Sequence, residues 1–178
     1  MAYLKNWSVW HRGKQLPGAV EYTPPALALR AASFQAGAMD GTQVVDDGME
    51  PLTLSLRLNG MQGEAFSVGL NTRVTVREGY AGVGGAGIED VIEGRVTRIE
   101  HDARQSRSRA EAATVITITA AFYKRSVDGR ETVLLIPGQG VRRIGGVDIL
   151  NAVSLMVLIS STADNANFDV LDFLSESF

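Results

Sequence analysis

Cysteine is missing altogether from the 178 residues. That excludes a disulfide framework and any thiolate-held metal, and folding in a reducing cytoplasm is the expectation. Histidine is almost missing, represented only by His11 and His101. Neither has a second histidine one helical turn away, so an imidazole zinc site would have to be completed by carboxylates; both are read as surface residues. Long apolar runs are missing too. Val153–Ile159 is the greasiest stretch, it is broken by Ser154, and a membrane-spanning helix needs roughly 20 residues. The opening Met-Ala-Tyr-Leu-Lys-Asn-Trp lacks the charged-then-apolar layout of a secretion signal, so neither export nor a membrane anchor is expected. Charge of one sign is lacking as well: 17 Lys and Arg against 20 Asp and Glu leave a net −3. Bulk electrostatics therefore recruits neither nucleic acid nor an anionic membrane.

Glycine is what the chain has in quantity, at 19 residues scattered without period. Collagen-like and solenoid arrangements need a repeat and are excluded. Scattered glycine among β-branched residues suits many tight turns between strands. Leu52 to Leu58 alternates apolar and polar strictly, which sends the leucines to a core and Thr53, Ser55 and Arg57 to the other face. Strands are also expected over Leu4–Leu16 (with a turn at Arg12-Gly13-Lys14), Ala19–Tyr22, Leu27–Phe34, Thr72–Glu78, Asp90–His101, Thr114–Arg125 and Glu131–Ile136. In the Thr114–Arg125 strand, Ile116, Ile118, Ala120 and Phe122 share one face. Asp128-Gly129 marks a hairpin turn. Pro24 and Pro25 keep their segment out of a central ladder, since neither donates a backbone hydrogen bond. Asn59–Leu70 places Met61, Ala65, Phe66 and Leu70 on one face of a short helix. Gly37–Pro51 shows no periodicity and reads as a long loop, of the kind that usually binds something. The sum is a mainly β fold of six to eight antiparallel strands, a sandwich or barrel with one short α-helix and a long loop.

Candidate chemistry is thin. Gly82 to Gly87 fits G-x-G-x-x-G, but a dinucleotide site needs a helix next, and Ile88-Glu89-Asp90-Val91 reads as a strand. Asp164 to Asp169 hints at a calcium loop and fails at Ala166 and Phe168, where oxygen ligands belong. Arg104, Arg107 and Arg109 have no interleaved aromatic to stack bases, and are read as a solvated loop or a contact with an acidic partner. There is no G-x-S-x-G elbow and no P-loop. Catalytic, cofactor and metal residues are all read as none, and the chain is read as not an enzyme.

Several segments resemble, in order, the major tail tube proteins of contractile-tailed phages and R-type tailocins. They are Leu4-Lys5-Asn6-Trp7, the turn at Gly13, Gly18-Ala19-Val20, and Gly37-Ala38-Met39-Asp40-Gly41. Asp46-Asp47-Gly48-Met49-Glu50, Phe122 to Arg125, Asp128 to Glu131 and Ile144 to Asp148 follow. The resemblance implies a structural virion protein: a subunit that forms six-membered rings, stacked into the inner tube of a contractile tail that conducts DNA on ejection. Strands from all subunits would join in one barrel around the lumen, as in type VI secretion tubes. The implied partners are five further copies, the sheath, baseplate or initiator and terminator proteins, and a tape measure protein. DNA would pass without sequence-specific binding. The implied location is the virion tail, assembled in the host cytoplasm.

On this resemblance Gly37, Met39, Asp40, Gly41, Asp46, Asp47, Met49 and Glu50 belong to an inter-ring loop. Leu4, Trp7, Trp10 and Arg12 belong to an N-terminal intersubunit hairpin. Thr53, Ser55, Arg57, Thr75, Arg77, Thr117 and Thr119 are candidates for the lumen face. Residues 1–159 form the tube domain; 160–178 are an extension in which Phe168, Leu171, Leu174 and Phe178 form an apolar helical stripe. Two other readings stay open: a tailocin or type VI-like tube that carries effectors, and a small β-barrel that binds a ligand.

Overall fold

A computed structural model describes residues 1–35, 37, 39–102 and 112–150. The basic run at Arg104–Arg109, the calcium-like segment and the extension at 160–178 lie outside the described residues. The chain opens with β1 (Tyr3–His11), which turns at Arg12-Gly13 into the short β2 (Lys14–Gln15). Strand β3 (Ala19–Thr23) stops at Pro24-Pro25, as an X-Pro-Pro sequence demands. Strands β4 (Leu29–Phe34) and β5 (Gln43–Met49) then form a separate two-stranded sheet. Strand β6 (Thr53–Asn59) follows, then a 3-10 helix over Gly60–Ala65. Two long strands come after β7 (Asn71–Ala81): β8 (Gly87–His101) and β9 (Ala113–Val127). Strands β10 (Arg130–Ile136), β11 (Val141–Ile144) and β12 (Val147–Asp148) end the described chain.

All ten other strands share one antiparallel sheet, in the order β12-β11-β10-β9-β8-β7-β1-β2, with β6 on β9 and β3 on β6. Strand β9 forks: residues 113–119 pair with β6, and residues 123–127 pair with β10. Strand β8 runs along its whole other edge, with irregularities at Glu93/Gly94 and Val96/Arg98. Those bulges let the β8–β9 ribbon bend. Leu52, Leu54, Leu56 and Leu58 accordingly join Val74, Val76, Ile92, Tyr123 and Leu135 in one buried cluster, although β6 and β7 flank opposite ends of the ribbon. The result is a curled, sandwich-like sheet that does not close into a barrel among the described residues.

Four expectations need correction. Twelve strands among the described residues replace six to eight. The short helix is 3-10 and not α, because Gly60 at φ 71° and Gly63 leave no stable α-turn to propagate; Phe66 is buried, whereas Leu70 is exposed. Half of the long loop is strand β5. In β9 the bulge moves Phe122 off the core face and puts Tyr123 there.

Candidate functional site

The β4–β5 hairpin stands off the body. Every residue of β4 is exposed, and so are Val44 and Val45 of β5, which leaves Leu29, Phe34 and both valines in solvent. Met49 packs against the core at its base, and the Glu50 amide donates to the Ala28 carbonyl at 2.9 Å. The principal latch is ionic. Arg142 on β11 is only 5% exposed and gives both terminal nitrogens to the Asp46 carboxylate. The Gly48 amide, in a left-handed backbone at φ 96°, also donates to Asp46, at 2.9 Å. Arg142 and this amide hold the Asp46 carboxyl below the usual carboxylate range. The Arg142 Nε has no partner among the described residues. Of the sequence candidates, Asp46, Asp47 and Met49 lie in β5, Gly37, Met39, Asp40 and Gly41 in the connection, and Glu50 just beyond.

In the N-terminal hairpin, Leu4 is exposed and Trp7 packs against the core. Trp10 donates its indole N–H to Ser8 Oγ at 3.1 Å, and the Arg77 guanidinium sits 5.8 Å from its ring centre. His11 is not a surface residue: it is 8% exposed and stacks on Phe66 at 4.3 Å between ring centroids. Burial, and then the neighbouring Arg12 charge, lower its pKa. Alternation puts His11 inward like Val9, a parity easily missed in a strand of mixed composition.

The seven candidates for a lumen face divide. Thr53 pairs with Thr119 and Ser55 with Thr117, which makes a compact hydroxyl surface, and Arg57 beside them is neutralised by Asp102. Thr75 and Arg77 sit at the other end of the ribbon, next to Trp10, Val91 and Glu89. There Arg77 pairs with Glu89 at 2.7 Å.

One polar cluster escaped the sequence reading. Asp90 is 1% exposed and receives two hydrogen bonds from Arg125, at 2.7 and 2.6 Å. Tyr22 adds one at 2.7 Å and Tyr123 one at 3.3 Å. The signal was available, since Asp90 has the same parity as the core residue Ile92. Hydrogen bonding to Asp90 raises the Arg125 pKa, while burial, reinforced by the Asp90 charge, raises those of both tyrosines. The cluster ties β3 to β8 and β9 across the core. It is fully satisfied, as a buried charge must be. Among the described residues no three His, Cys, Asp or Glu side chains gather to hold a metal, and no helix is long and apolar enough to cross a membrane.

Comparison with known proteins adds the following. The model of a family described as phage tail tube protein FII matches residues 1–155. Comparison with curated proteins finds no match. Three solved structures share the fold, each at 10% identity and over 67% of this chain. One is from the PVC sheath-tube complex of an extracellular contractile injection system in its extended state (TM-score 0.51, 87% of that chain). Another is from the PVC sheath/tube terminator (TM-score 0.52, 92% of that chain). The third is the tube-terminating cap of the anti-feeding prophage (TM-score 0.53, 87% of that chain).

Proposed function

The chain belongs to the phage tail tube protein FII family, a structural family, and from that premise we propose how it builds its tube. Subunits form six-membered rings, the rings stack, and the β4–β5 hairpin is the element that reaches from one ring to the next. One observation carries this reading: the hairpin is a two-stranded sheet with Leu29, Phe34, Val44 and Val45 in water. An isolated two-stranded hairpin is marginal in water, so it wants a neighbour to cover it. The N-terminal residues Leu4, Trp7, Trp10 and Arg12 form a second contact within the assembly. The hydroxyl surface of Thr53, Ser55, Thr117 and Thr119 is the lumen wall; Thr75 and Arg77 form a separate part of it. DNA passes through this lumen without sequence readout. The sheath, an initiator on the baseplate, a terminator and a tape measure protein complete the tail. The likeness to injection-system tubes favours a second reading, a tube that delivers protein in place of DNA.

Negative-stain microscopy of the purified protein should show stacked rings; monomers under every condition would sink the proposal. Deleting Gly41–Gly48 should leave a cooperatively melting β protein that forms no long tubes. Normal tubes from that deletion would refute the role given to the hairpin. Nuclease-protected DNA in purified particles separates the two readings.

A further inference from the structure

At the bend of the β8–β9 ribbon the outer face opens into a groove of about 800 Å3. It exists because its floor is bare. Gly94 lies so close to β9 that a Cβ there would meet the Thr119 carbonyl oxygen at 2.2 Å, and Ala120 and Ala121 continue the floor. Three arginines line the groove, Arg12, Arg73 and Arg95, against the single carboxylate of Glu93. Arg73 meets Glu93 only at 3.4 Å, and Arg95 has no ionic partner among the described residues. The Arg12 side chain bonds, among the described residues, only a backbone oxygen, that of Asn71, at 3.2 Å.

Arg12 also occupies a position that its residue type does not suit. It has φ 48° in the two-residue turn between β1 and β2, where Asn, Asp or Gly before glycine is the usual choice; the other such turns among the described residues have Asp128-Gly129 and Gly145-Gly146. Strain of this kind points to a use for the side chain. The opposite charge is in excess on the β4–β5 hairpin, although Arg30 there, bonded to the Asp47 carbonyl, offsets part of it. Asp40, Asp47 and Glu50 are exposed there, and their carboxylates have no ionic partner among the described residues. The two surfaces do not meet within one chain: the hairpin is latched to β11, which β10, β9 and β8 separate from β7.

We infer that the arginine groove receives the acidic hairpin of a second copy of this chain. Two complementary surfaces at different places on one subunit make a heterologous contact, which repeats as a ring or filament without using itself up. This rests on the hairpin's role above and adds its receptor; Thr119, across the ladder from Arg95, is where the groove meets the proposed lumen wall.

The test is a charge swap followed by sedimentation and electron microscopy. Arg95→Glu alone, and Asp47→Lys with Glu50→Lys, should each raise the concentration needed for tubes by roughly tenfold or more. Combining the three substitutions in one chain should bring it back down. Unchanged polymerisation of folded Arg95→Glu overturns the inference, and so does a combined variant no better than either parent. If deletion of Gly41–Gly48 abolishes tubes while Arg95→Glu does not, the hairpin keeps its role and the groove loses its own. Arg12→Asn should melt higher, because the turn relaxes, yet assemble less readily; unaltered assembly removes Arg12 from the site. Loss of labelled duplex DNA binding by Arg95→Glu with normal tubes would assign the groove to nucleic acid and overturn the inference.

Discussion

Asp90 and His11 are inward-facing polar residues whose costs are met in different ways. Asp90 is satisfied because Arg125, Tyr22 and Tyr123 all donate to its carboxylate. Arg125→Met would leave that carboxylate sealed and short of its main partner, and should lower unfolding stability by about 3 kcal/mol in urea titrations. His11 has no such counter-charge. Its folded-state pKa is depressed below the ordinary 6.5, so as pH falls the unfolded chain takes up a proton before the native protein does. Stability should be level above about pH 6.5 and decline below it until the folded pKa is passed. Melting temperature against pH checks this, with His11→Gln expected to flatten the decline. A wild-type curve parallel to that of His11→Gln would remove His11 as the cause.

At the scale of elements, the bulge where Gly94 faces β9 leaves less room for a Cβ than any other glycine position among the described residues. Gly94→Ala should force the strands apart and cost roughly 2–4 kcal/mol, read from chemical denaturation. Legibility in the sequence also varied element by element. Leu52–Leu58 announced itself because one pleat face is buried and the other is not, so side-chain parity is written into residue type. Strand β5 was read as loop because neither face of Gln43–Val45 is buried. A strand bare on both sides has no reason to alternate. The Phe122/Tyr123 exchange was hidden for another reason: a bulge resets parity in mid-strand, and composition does not mark where. The turns at Arg12-Gly13 and Asp128-Gly129, by contrast, are legible in the sequence, because positive φ restricts residue type strongly. Of the candidate site, the acidic hairpin was visible as a segment. Its receptor was not, since Arg12, Arg73 and Arg95 come together only through strand pairing.

For the whole molecule, net charge of −3 conceals, among the described residues, an acidic excess on the β4–β5 hairpin and a basic excess at the groove. If that separation drives assembly, tubes should need a higher protein concentration as sodium chloride rises from about 0.05 M to about 1 M, because the screening length shrinks severalfold. Light scattering across that range reads the effect; indifference to salt would favour apolar contacts of Leu29, Phe34 and Val44 as the main adhesive. The β8–β9 ribbon has a further consequence. Two fifteen-residue strands, in register on either side of the bulges, make a bent bar with a contour of about 50 Å. Force applied along the bar strains all its rungs at once, whereas force across one end opens them in turn like a zip. The subunit is therefore mechanically directional, stiff along the ribbon and compliant across it.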